Sequence, residues 1–184
     1  MLGWRTSGDI TQIDNGFRLV DAWMMRRGII PKDYTVEATL IKRQEPKTGW
    51  AGLWVRQRGE TFGNGALVNM YTDNWGVVQY VDHNIVARER FPVTEIFPIG
   101  RPTKLIVTVT NNKLKAEANG NVIETTLDPA LIRGGIGLHS RQITTGFYNL
   151  KIPLSIIPSN WASLIVIPAP TVTGLGVVRF GKKG

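Results

Sequence analysis

The chain has 184 residues, 42% of them hydrophobic, with 20 glycines, 10 prolines and a formal net charge of +8. That length suits one domain with an extension, and the lack of cysteine excludes a disulfide framework or a thiolate zinc site, leaving only His83 and His139 as imidazole ligands. There is no run of eighteen apolar residues, and MLGWRTSGDITQID has no basic segment followed by an apolar one, so no membrane contact or standard secretion signal is expected.

Strand signals follow one another at short spacing, with no helical periodicity competing. The expected strands occupy 17–22, 34–43, 50–58, 66–72, 76–82 and 84–91. After the proline-bearing link PVTEIFPIGRP they resume at 103–110, 113–118, 122–127, 135–140 and 146–152. TDNWG and NGN supply hairpin turns, the second with Asn119 and Gly120 able to take positive φ. Many short strands without helices predict an all-β antiparallel sandwich or barrel.

Alternation separates the faces. In WAGLWVRQR, Ala51, Leu53, Val55 and Gln57 form the expected core face, while Trp50, Gly52, Trp54, Arg56 and Arg58 share the other. The segments 34–43 and 103–110 alternate like strands wet on one side. The stretch GGIGLHSRQITTGFYNLKI, residues 134–152, departs from this habit. Its glycines suggest close approach of backbones, its polar interval reads as a loop before a terminal strand, and the opposed parity of Phe147 and Leu150 implies a bulge or burial on both sides.

In order, the segments DYTVEATL, GWAGLWVRQR, RPTKLIVTVTNNKLKAEANGNVI and GGIGLHSRQITTGFYNLKI resemble the concanavalin A-like jelly rolls, in particular the laminin-G-like group of lectins and glucanases. The group's closing pattern, a G-x-G-L segment before F-x-N-hydrophobic-x-hydrophobic, falls on Gly135, Gly137, Leu138, Phe147, Asn149, Leu150 and Ile152. The resemblance covers about 1–152. It implies an antiparallel jelly-roll sandwich, with the last strand paired to the first.

The face carrying Trp50, Trp54, Arg56 and Arg58, extended by Asn69, Tyr71 and Gln79, suits glycan binding, since aromatic rings stack on sugars and guanidinium groups bind hydroxyls or carboxylates. The alternative is that an arm or a neighbouring subunit covers both tryptophans. Glucanases of the resembled group carry E-x-D-x-x-E, because a retaining glycosidase needs two carboxylates roughly 5 Å apart. This chain lacks that triplet, and its nearest acids, Glu89 and Glu95, are poorly spaced. His83 and His139 read as structural. Lectins of the group often hold calcium, but Asp73, Asn74, Asp82 and Asn84 serve equally well as turn residues, so no metal and no cofactor is assigned. Residues 1–92 hold 12 basic and 10 acidic side chains, leaving 10 and 4 for the rest. The excess charge is dispersed and no phosphate-cradling loop is present, so nucleic acid is not an expected partner.

After Ile152 the family pattern ends, and residues 153–184 read as an extended C-terminal arm. Large apolar side chains recur there, among them Ile156, Ile157, Trp161, Leu164, Ile165, Val166, Ile167, Leu175, Val177, Val178 and Phe180. A solvated tail is poorer in such residues. Pairing as added strands on a sheet edge would recover its backbone hydrogen bonds, with Pro158, Pro168 and Pro170 interrupting the pieces. The leading expectation is therefore a non-catalytic structural or attachment protein that self-assembles through this arm and docks on a larger shell or tail. A capsid-decorating or tail component of a virus or phage particle would fit, with a virion location; otherwise the chain is expected to be cytoplasmic. A carbohydrate-binding module is the alternative, and a sugar-acting hydrolase the third.

Overall fold

A computed structural model of the chain describes residues 4–26, 32–44, 48–59 and 63–152. The arm expected over 153–184, and the domain boundary at 152, lie outside the described residues. The described residues form eleven strands and no helix: β1 (Trp4–Ile13), β2 (Gly16–Arg26), β3 (Tyr34–Lys42), β4 (Trp50–Arg58), β5 (Asn64–Met70), β6 (Asn74–Val81), β7 (Asn84–Pro92), β8 (Pro102–Thr110), β9 (Lys113–Ala118), β10 (Asn121–Thr126) and β11 (Gly135–Lys151).

The tight turns follow their residues. Asn119 and Gly120 adopt φ of 47° and 78° between β9 and β10, and Asp82 and His83 adopt 47° and 66° between β6 and β7. Two positive φ values give the turn the twist that its flanking strands require.

All pairings between these strands are antiparallel, in one sheet of order β10-β9-β8-β3-β11-β4-β5-β6-β7, with β2 beside β11 and β1 beside β2. The sheet curls so that two wings face each other. Val36, Leu40, Leu105, Val107, Leu114 and Ile123 from one wing meet Leu53, Val55, Val68, Met70, Trp75 and Val77 from the other in a single buried cluster. Burial of this kind contributes about 25 cal/mol per Å² of apolar surface removed from water.

The spine shared by the wings is β11. Gly135–Arg141 pairs with β4, Thr145–Lys151 pairs with β3, and β2 runs along its other edge. The polar interval expected as a loop is instead a bulged corner within this one strand. Leu138 and Ser140 face the core before it, Ile143, Thr145 and Phe147 after it, so the inserted residues invert the parity. Asp21, at φ 43°, makes the matching irregularity in β2 and accepts a 2.9 Å hydrogen bond from the Gln142 N–H. Ser140 Oγ closes the corner on Ile143 O at 2.8 Å. A second irregularity between Tyr148 and Lys151, with Asn149 at φ 50°, accounts for the opposed parity of Phe147 and Leu150. The terminal strand pairs with β2, and the unexpected strand β1 lies outside it.

Candidate functional site

The outward face of the β11-β4-β5-β6-β7 wing carries a second, smaller apolar cluster: Trp50, Trp54 and Leu67, with Tyr71 and Tyr80 packed against them. Register dictates this grouping. Trp54 pairs with Leu67 and Gly137, Gly52 with Asn69 and His139, and Asn69 with Gly76. Side chains two apart along a strand share a face, so Trp50, Gly52 and Trp54 stand beside Leu67, Asn69 and Tyr71, and next to Gly76, Val78 and Tyr80.

Gly52 and Gly76 flank Asn69 in a cross-strand row that ends at Arg90. A Cβ at Gly52 would lie 2.0 Å from Val68 O, and one at Gly76 2.1 Å from Glu89 O, so neither position can carry a side chain without moving backbone. The row is therefore low between the aromatic residues on either side.

The rings lock one another. Trp50 meets His139 edge-on at 4.5 Å between centroids, Trp54 stacks on the other side of His139 at 6.5 Å, and Tyr80 tilts against Trp54 at 5.4 Å. Trp54 Nε1 donates to His139 Nδ1 at 3.3 Å. Burial, and then the positive charge of Arg141, push the His139 imidazole down to about 4, with Asp21 opposing. It is neutral at pH 7, with Nδ1 free of a proton to accept that bond. Trp54 is 2% exposed and Trp50 9%, whereas Tyr71, Tyr80 and His139 are partly exposed and Arg90 is exposed. Arg90 lies over the Tyr71 ring, 5.5 Å from its centroid. Beside them, Asn74 Oδ1 is buried without a hydrogen-bond partner among the described residues.

The structure brings together Trp50, Trp54, Asn69 and Tyr71 of the expected set, and separates the other three. Arg56 is a correction: a bulge between Val55 and Arg58, with Arg56 at φ 51°, turns its side chain away from the tryptophans. Its guanidinium is 1% exposed and donates to the backbone oxygens of Leu131 at 2.6 Å, Lys32 at 3.0 Å, and Asn111. Arg58 turns to Arg133 O at 2.8 Å. Gln79 is the second correction, because it shares the inward side of β6 with Trp75 and Val77. There it donates to Thr126 O and accepts from the Asp128 N–H, tying β6 to the segment after β10.

The sequence reading placed Gly52 on this face but missed Tyr80, Arg90, Gly76 and the place of His139. The register set by the TDNWG hairpin, carried across β5 to β7, is the signal that locates Tyr80, Arg90 and Gly76.

The residues considered for other chemistry fall apart. Glu89 accepts from Thr125 Oγ1, while Glu95 pairs with Arg101 at 2.6 Å. Asp73 and Asn74 lie at one end of β6 and Asp82 and Asn84 at the other. Among the described residues, no three His, Cys, Asp or Glu side chains converge as metal ligands.

No protein-family model and no curated protein matches the chain. Solved structures do. The carbohydrate-binding module CBM66 from Bacillus subtilis is similar at a TM-score of 0.68 and 18% identity, over 82% of this chain and 94% of that one. The fold is a concanavalin A-like jelly roll. A legume lectin-like domain from Entamoeba histolytica is similar at a TM-score of 0.63 and 15% identity, covering 82% of this chain and 89% of that one. An alginate lyase from Pseudomonas aeruginosa is similar at 0.57 and 14%, covering 80% and 86%. At these identities the jelly-roll likeness is one of fold, and function has to be argued from the site.

Proposed function

We propose that this jelly roll is a non-catalytic carbohydrate-binding module that holds a glycan on the outward face of β4, β5, β6 and β7. The carrying observation is the aromatic platform on a side of the sheet away from the core: Trp50 and Trp54 fixed beneath partly exposed Tyr71 and Tyr80, beside the low Gly52-Asn69-Gly76 row. Sugar rings present C–H faces that stack on aromatic rings, and their hydroxyls need fixed polar partners. Asn69 on the floor of the row and the exposed Arg90 guanidinium offer those partners. The buried tryptophans set the shape of the platform, and the tyrosines make the contact.

The names of the carbohydrate-binding module and the lectin-like domain support this reading over a role in a virus or phage particle, which rests on residues 153–184 alone. The alginate lyase shows that the fold can carry an enzyme; the separation of Glu89 and Glu95 argues against a two-carboxylate hydrolase here. A glycan array probed with the full chain tests the proposal. Binding to at least one glycan class is expected, with Tyr71→Ala and Arg90→Ala each weakening it tenfold or more while the melting temperature stays within a few degrees. An array blank for the intact chain would end it.

A further inference from the structure

A separate cavity of about 470 Å³ opens on the outward face of the other wing, where β1, β2, β3 and β11 meet. Its volume lies in the range of small-molecule sites, about 300–1,000 Å³. Register assembles it. Gly146 pairs with Arg18 on one side and Ile41 on the other, Tyr148 pairs with Gly16 and Thr39, and the Arg43 N–H is held by Thr144 O at 2.9 Å. The lining joins two guanidinium groups, Arg18 and Arg43, to Tyr148, Thr144, Gly146 and the Asp14 carboxylate.

Tyr148 lies down over Gly146. A Cβ at Gly146 would fall 2.5 Å from the Tyr148 ring and 2.9 Å from its hydroxyl, so glycine is what lets the ring rest on the strand. Tyr148, partly exposed, lines the cavity from above this glycine. Arg43 Nη2 donates to the Tyr148 hydroxyl at 2.7 Å, which fixes the ring and leaves the phenol hydrogen free to donate. Arg18 donates to Thr11 Oγ1 at 3.3 Å. Among the described residues, neither guanidinium is in an ion pair with a carboxylate.

We infer that this cavity is a second binding site, selective for a sugar unit bearing a carboxylate, such as a hexuronate. Two guanidinium groups without an anionic partner among the described residues supply the charge-assisted, fork-shaped donors that a carboxylate takes in preference to a hydroxyl. The flat Tyr148 ring receives the sugar's C–H face. Asp14, an acceptor that would repel a bare anion, takes hydroxyl hydrogens, and Thr144 can serve either way. This combination distinguishes an acidic sugar from an inorganic anion. The inference rests on the carbohydrate-binding reading only for the class of ligand; the residues are distinct from those of the aromatic face.

The test is calorimetric titration of the full chain with a uronic-acid trisaccharide and with its carboxyl-reduced neutral counterpart. The acidic sugar is expected to bind at least tenfold tighter than the neutral one. Arg18→Gln, Arg43→Gln and Tyr148→Ala should each weaken it tenfold or more, and Tyr71→Ala should leave it unchanged. Both arginines are exposed, so these variants should melt with the parent, a check made on each sample. Equal affinity for the two trisaccharides, or displacement of the uronate by sulfate at the same concentration, overturns the inference. So does acidic-sugar binding lost in Tyr71→Ala but kept in the arginine variants, a result that leaves the aromatic face standing. Failure of the uronate alongside a positive array for neutral glycans sinks this site alone, and failure of every glycan sinks both.

Discussion

His139 shows how one side chain links the platform to stability. Its ordinary pKa near 6.5 falls to about 4 in the folded protein, first because it is buried and then because Arg141 is near. Between those values the unfolded chain binds a proton that the folded chain refuses, so stability is fully present above pH 6.5 and declines as pH drops toward 4. The full effect is on the order of 3 kcal/mol. Urea melts at pH 7 and pH 4.5 should therefore show a loss of stability that is smaller in His139→Gln, whose amide oxygen can still accept from Trp54 Nε1. An equal loss in both proteins would show that His139 is not the group responsible. In the sequence, His139 read as a structural histidine, and its packing between two tryptophans agrees with that. What a sequence could not supply is the distance across strands that makes it part of the platform.

At the scale of strands, two buried cations pin the wings together from opposite ends. Lys42, at the end of β3, donates to Thr72 Oγ1 in the β5–β6 turn at 2.6 Å. Arg56, on the bulge of β4, holds the β8–β9 turn through Asn111 O and the β10–β11 link through Leu131 O. Removing the Arg56 guanidinium leaves buried backbone oxygens without a donor, at roughly 1–3 kcal/mol each. Arg56→Met should thus lower the melting temperature on the order of 10 °C, whereas Arg58→Met, at an exposed position, should change it little. Equal melting of the two variants would contradict the pinning role. The strand alternation that gave the core faces of β3, β4 and β8 also predicted Arg56 among the tryptophans. That prediction failed because a bulge resets parity and leaves no periodic trace. Strand β1 was missed for a related reason: WRTSGDITQI is only partly buried along its length, so no side of it needs to be consistently apolar. Gln79 was misplaced because parity fixes faces within a strand, while register alone carries them between strands.

For the molecule as a whole, the jelly roll follows from a few devices: positive-φ hairpin turns, alternating apolar faces, and a long β11 that bends at 140–144 to serve both wings. The order of motifs made this architecture legible before any coordinates, since strand count, turn chemistry and closing pattern all point one way. Site placement was half legible, because aromatic residues on β4 advertise themselves whereas their neighbours on β5, β6 and β11 depend on pairing. The two outward faces then differ in chemistry, aromatic on one wing and arginine-rich around Tyr148 on the other, and the two proposed sites divide along that difference. The most direct test of the central claim is a nitrogen-15 NMR titration of the full chain with a neutral glycan that scores on the array. The indole N–H signals of Trp50 and Trp54 and the amides of Gly52, Asn69, Tyr71 and Gly76 should move together at one dissociation constant. Shifts confined to residues away from this face would contradict it.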